Sequence, residues 1–361
     1  MLLPSASNGF QILPKISDVD RKLNRNDRLV SMSRTANWLG QLVYDSGAGL
    51  LKNPVHEAIT LAAFGCDAET GEEMQCVQFD TVLEHRMVLY GVRWPDDPPF
   101  RLDPGTPPNI SSCRVNITVR STAQPTCWLK LFNDAKASAA ANRGSGPAFG
   151  PGTMLLYRSH FGDLQFMHAM ASYDGETAAQ TRERMRLFAR YMWGVATKEL
   201  RNDVPIRDLG LEGLDEYFPG EMTTTNLLAT GIVEARRHLD EVALGVILHM
   251  VQDSFSAAHA NRALSGGGTC SGSSDYEAPG RIQSFNSYAH QDSDLHDRED
   301  TPQALALHTT QEVPNAVTAT RDVIRLWQEK APWPQFESYF NCAFDLANPD
   351  ALAGPGYYAA T

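Results

Sequence analysis

Leu244-Gly245-Val246-Ile247-Leu248-His249-Met250-Val251-Gln252-Asp253-Ser254-Phe255-Ser256-Ala257-Ala258-His259 is the stretch on which the reading of this chain turns. Its apolar run predicts a buried helix, and His249 and Asp253, at i and i+4, fall on one face of it. A carboxylate on an otherwise apolar helix is costly to bury unless a cation meets it. Zinc accepts nitrogen and oxygen donors of this kind at about 2.0–2.2 Å. His259, six residues beyond Asp253, can reach a second ion. The alternative is a capped, hydrogen-bonded polar patch where the helix ends.

A second pair at the same spacing, His290 and Asp294, follows the Gly/Ser-rich segment 265–274. Asp292 and His296 form a competing pair, and spacing alone does not choose between them. Upstream, His56 follows the helix-start signal Asn53-Pro54. Trp94-Pro95-Asp96-Asp97-Pro98-Pro99 presents two adjacent acids in a rigid turn, and His160-Phe161-Gly162-Asp163 and His168 add further donors.

The order of these groups resembles that of the zinc-dependent phospholipase C and single-strand nuclease superfamily. Its members are all-α and hold three zinc ions in a cleft. The family's His-x3-Asp-x5-His, followed by His-x3-Asp/Glu, is matched here by His249, Asp253, His259, His290 and Asp294. His56, Asp96 and His160 occupy the places of its earlier ligands. His160 is preferred to His168 because His160-Phe161-Gly162-Asp163 is similar to the family's Leu-His-Phe-x-Asp segment.

The resemblance implies two to three zinc ions, held by His56, Asp96, His160, His249, Asp253, His259, His290 and Asp294. Asp253 would bridge two ions and Asp96 would orient or deprotonate the attacking water. Ala189-Arg190-Tyr191-Met192-Trp193 and Leu244-Gly245-Val246-Ile247-Leu248-His249 resemble the clostridial-type phospholipase branch. The implied reaction is cleavage of glycerophospholipids to diacylglycerol and a phosphorylated head group at a membrane surface. A single-strand nuclease of the same superfamily and a non-enzymatic, metal-stabilised binding protein are the rival readings. One feature departs from the family: its N-terminal tryptophan ligand has no counterpart beside His56, so Glu57 or water would have to substitute.

The rest of the chain frames this core. Its 361 residues are 42 % hydrophobic and 20 % charged, enough for a sizeable core. The net charge of −12 gives no basic track for a stable nucleic-acid complex. No apolar run is long enough for a transmembrane anchor. Six cysteines, with Cys66/Cys76 and Cys113/Cys127 closing short loops, suit disulfides in a secreted or exported protein. The expected fold is an all-α, multi-helix phospholipase C-like bundle with loop-rich insertions. Its expected divisions are an N-terminal extension over 1–52, a catalytic domain over 53–345 with an irregular insertion at about 98–151, and a tail over 346–361. Helices are expected over Trp38–Leu51, Glu176–Leu200, Thr318–Gln328 and, as one or two segments, Asn226–Leu264.

Overall fold

The computed structural model describes residues 55–66, 84–102, 113–263 apart from 122, 143 and 145, then 268–270, 276–299 and 314–360. The 1–52 extension, its expected helix and the Asn53-Pro54 signal lie outside the described residues. So do Cys76 and most of the Gly/Ser segment.

The protein is mostly helical, as its amphipathic patterns predict. The described helices are α1 (Val55–Ala63), α2 (Arg86–Arg93), α3 (Pro125–Ala141), α4 (Leu155–Phe161) and α5 (Ala178–Ala196). They continue with α6 (Thr224–Ala229), α7 (Val233–Arg237), α8 (Leu239–Asp253), α9 (Ser293–Glu299), α10 (Ala316–Gln328) and α11 (Trp333–Ala343). Thr177 starts α5 with a capping box to Gln180, and Asn315 starts α10 with one to Thr318.

α8 is the axis. Every residue of it except Asp240 is buried, and α1, α2, α5 and α10 pack around it or one another. α2 crosses α8 where Gly91 meets Gly245. A Cβ on Gly91 would stand 2.9 Å from Gly245 Cα and inside the Val242 carbonyl, and one on Gly245 would stand 2.6 Å from Val92 N. Only two glycines let the backbones approach so closely. This contact brings Asp96, just past the end of α2, to 3.9 Å from His249 Nε2.

Two short antiparallel sheets complete the fold. β1 (Phe100–Arg101) pairs with β2 (Thr118–Val119), and β3 (Ala260–Arg262) pairs with β4 (Ile282–Phe285) across a register irregularity at Asn261/Arg262. The expected strand over Arg114–Val119 thus shortens to two residues. The region 98–151, expected to be irregular, contains the 17-residue α3. Cys127, Trp128, Leu131, Phe132, Ala135 and Ala139 recur at helical spacing and bury one face of α3 in a second apolar core with Leu156, Tyr157 and Phe161. α11 is a further helix that the sequence reading omits. Its Phe336 stacks on Trp193 at 3.9 Å.

Disulfides join Cys113 to Cys127 and Cys270 to Cys342, and Cys66 is also disulfide-bonded. The first of these is a pairing that the short-loop argument anticipates. Covalent bridges of this kind fit an extracellular or secreted protein. Among the described residues no helix is long and apolar enough to cross a membrane.

Candidate metal centre

Asp253, the last residue of α8, is fully buried and sits between two groups of imidazoles. Its Oδ2 lies 2.9 Å from His249 Nε2 and 3.0 Å from His168 Nδ1, while its Oδ1 lies 3.2 Å from His56 Nε2. One carboxylate therefore offers its two oxygens to two sets of donors.

On the Oδ2 side, His249 Nε2 is 2.9 Å from His168 Nδ1. Asp96 Oδ1 lies 3.7 Å from His168 Nδ1 and 3.9 Å from His249 Nε2. Separations of 2.9–3.9 Å bracket the ~3.3 Å edge of a tetrahedron whose metal–ligand bonds are ~2.0 Å. Asp96, His168 and His249 form one buried group able to hold an ion, and His56, His249 and Asp253 form another. Further along, His259 Nε2 lies 3.2 Å from His296 Nε2.

Hydrogen bonds fix which nitrogen of each ring carries its proton. His249 Nδ1 donates to the Val92 carbonyl at 2.8 Å, and His259 Nδ1 donates to the His168 carbonyl at 2.7 Å. For His56 and His296 the acceptor is a glutamine. Gln291 Nε2 donates to the Ala258 and Pro355 carbonyls, so Gln291 Oε1 must be the atom 2.6 Å from His296 Nδ1. Thr320 spends its hydroxyl proton on the Ala316 carbonyl and accepts from Gln252 Nε2, so Gln252 Oε1 faces His56 Nδ1 at 2.7 Å. All four rings hold their proton on Nδ1, which leaves Nε2 with its lone pair. An outer hydrogen bond from the non-ligating nitrogen is what a metal-binding histidine requires.

The electrostatics agree with neutral imidazoles around an ionised acid. Burial lowers the pKa of His249 to about 3, lowers that of His168, and pushes that of His160 well down. Burial alone would raise the Asp253 pKa, but the attraction of any protonated ring among His249, His259 and His56, with the hydrogen bond from His168, holds it well below the usual carboxylate range. Neutral imidazole and ionised carboxylate are the forms that bind metals.

Of the eight residues the sequence reading selects, the structure brings together His56, Asp96, His249, Asp253 and His259. Asp97 turns the other way, accepting from the Ser121 backbone and hydroxyl at 2.7 Å each. His160 stands behind His168, with ring centroids 5.3 Å apart and its Nδ1 donating to the Leu156 carbonyl. Asp163, its motif partner, is taken by Arg158 at 2.7 Å. His290 is not in the cluster: its Nδ1 binds Asp174 at 2.7 Å beside a cavity of about 410 Å³. Asp294 belongs to α9, but its side chain lies outside those described.

His168 and His296 take positions that the sequence reading gives to His160 and His290. For His296 a signal exists. Leu295 is the one apolar residue in Asp292–Asp300, so the Leu295–His296 edge of α9 should turn inward, and His296 is buried. His168 carries no comparable signal. Its direction is set by the 3-10 turn Gln165–His168 and by Ala169, whose φ of 49° is left-handed.

Comparison of the chain with protein-family models, with curated proteins and with solved structures returned no match.

Proposed function

We propose that this chain is a zinc metallophosphodiesterase of the phospholipase C type, acting on glycerophospholipids. The observation that carries the proposal is the convergence of His56, His249 and His168 on the Asp253 carboxylate, with Asp96 completing one donor set and the His259–His296 pair standing alongside. His168, His249, Asp96 and Asp253 would hold one ion, His56 and Asp253 would share a second, and His259 and His296 would contribute to a third. Zinc held there would polarise the phosphodiester oxygens and lower the pKa of water at the site from 15.7 toward about 7.

The chain's own residues supply the rest. Asp96, on the rigid Pro95–Pro99 turn, is the carboxylate assigned to orient the attacking water and accept its proton. Asp253 would supply anionic charge to the ions held there. Gln252, Gln291 and the Val92 and His168 carbonyls keep the rings aimed, so little reorganisation accompanies the reaction.

The phospholipase branch is supported by the resemblance of Ala189–Trp193, by the −12 charge and by the disulfides. The Ala189–Trp193 segment has a packing role. Tyr191 bonds Thr224, and Trp193 bonds the Ala331 carbonyl and stacks on Phe336. Its support is therefore resemblance and not contact with the site.

The test is release of diacylglycerol from phosphatidylcholine and phosphatidylethanolamine micelles against cleavage of single-stranded DNA, each with and without chelator. Chelator-sensitive release of diacylglycerol, faster than DNA cleavage, is expected. Efficient DNA or RNA hydrolysis with inert phospholipid would overturn the branch. Inertness toward both, with metal bound, would leave a metal-stabilised binding protein.

A further inference from the structure

Resting on the metal-centre reading above, we infer that Arg262 is a positioning residue that sets the distance between the Asp253 donor group and the His259–His296 pair. Arg262 is a half-buried cation with no carboxylate partner among its described contacts. Its Nε donates to the Ser254 carbonyl at 3.1 Å and its Nη2 to the Ser254 hydroxyl at 2.7 Å. Its Nη1 donates to the carbonyls of Gly280 and Ala343, both at 2.8 Å. The guanidinium lies over the Phe255 ring, 4.5 Å from its centroid.

These contacts have a common geometric consequence. Ser254 is the residue after Asp253 and caps the C-terminus of α8, where backbone carbonyls lack intrahelical partners and a cation is favoured. Arg262 closes on Ser254 from eight residues downstream, so the chain between them is a short tied loop, and His259 lies inside it. The same guanidinium ties that loop to the segment before β4 and to the end of α11. On the opposite side Asn286 and Gln291 hold the Ala257 and Ala258 carbonyls. With both sides fixed, His259 can swing toward or away from Asp253 only if one clamp opens. Burial lowers the Arg262 pKa to about 9, so the clamp stays charged at neutral pH. A planar fork with five donors can serve four acceptors on three segments, and a lysine ammonium cannot.

The experiment is zinc and cobalt titration of the full chain, wild type against Arg262→Gln, Arg262→Lys and Ser254→Ala, with His259→Ala marking the contribution of the second donor pair. Circular dichroism monitors folding. Arg262→Gln is expected to keep the tighter equivalent held by Asp96, His168, His249 and Asp253. Its affinity for the equivalent lost in His259→Ala should weaken at least tenfold, with Arg262→Lys and Ser254→Ala intermediate. If Arg262→Gln does not fold, the same selective loss in Ser254→Ala and Arg262→Lys carries the inference. Wild-type affinity at both positions in the folded variants would overturn it, as would equal weakening of both, which would make Arg262 a general structural residue. A wild-type chain that binds no metal would sink the metal-centre reading itself, a result distinct from either.

Discussion

Gly91 and Gly245 touch where α2 crosses α8, and the contact holds Asp96 beside His249. The same crossing lets His249 Nδ1 reach the Val92 carbonyl at 2.8 Å. Neither glycine is needed for a turn; each is needed because a side chain there would drive the two helices apart. Gly245→Ala should therefore destabilise the fold by about 1–3 kcal/mol, since overpacking exceeds the ~1 kcal/mol gained in helix propensity. Urea denaturation checks this, and a stabilised variant would show that the crossing yields freely. Metal affinity should fall with stability, because Asp96 and His249 are donors on the two separated backbones.

Asp253→Asn keeps the shape of the residue and removes the charge that two cations would share. Phosphodiesterase activity should drop at least ~10²-fold, the scale of metal-assisted charge stabilisation. Near-normal turnover and metal content in the variant would make Asp253 structural.

The two histidines of disputed role separate cleanly. His168→Ala should lower the metal content, since its Nδ1 stands 3.0 Å from Asp253 and 2.9 Å from His249. His290→Ala removes a half-exposed ring bound to Asp174 and should leave metal content unchanged. Elemental analysis of both variants after zinc loading decides; loss of metal in His290→Ala alone would reverse the assignment.

Acid should destabilise the metal-free protein over a defined range. The folded pKa of His249 is lowered by burial from 6.5 to about 3, and those of His168 and His160 are also lowered. Below about pH 6.5 the unfolded chain therefore binds more protons than the folded one, and stability falls as pH drops toward 3. Above pH 6.5 these groups contribute no slope. Denaturation midpoints from pH 8 to pH 4 in chelator measure this, and a flat profile below pH 6.5 would contradict it. Zinc should protect down to the pH at which protons displace it.

Reduction of Cys270–Cys342 should cost about 2–5 kcal/mol, because its loop spans 72 residues. Cys342 precedes the carbonyl of Ala343 that Arg262 binds. Thermal unfolding with and without reductant tests this. Loss of zinc affinity should accompany the loss of stability.

The residues at fixed helical spacing were legible from sequence alone. His249 and Asp253 share a face of α8 because i and i+4 must do so on any α-helix, and the apolar run around them could only be buried. The amphipathic patterns of α5 and α10 declared themselves for the same reason, whereas the pattern in α3 was present but obscured by the prolines and glycines around it. Which distant histidines join Asp253 was decided by tertiary structure. His160 and His168 both precede α5, and a one-turn 3-10 segment with a left-handed Ala169 determines that His168 faces the carboxylate. His290 and His296 both follow β4, and the turn leading into α9 leaves the first on Asp174 and the second against His259. Sequence spacing fixes direction only within one regular element; across a turn, direction depends on backbone dihedrals and on the neighbours that hold them. That is why the Asp253 end of the centre could be read from the chain and its full ring of donors could not.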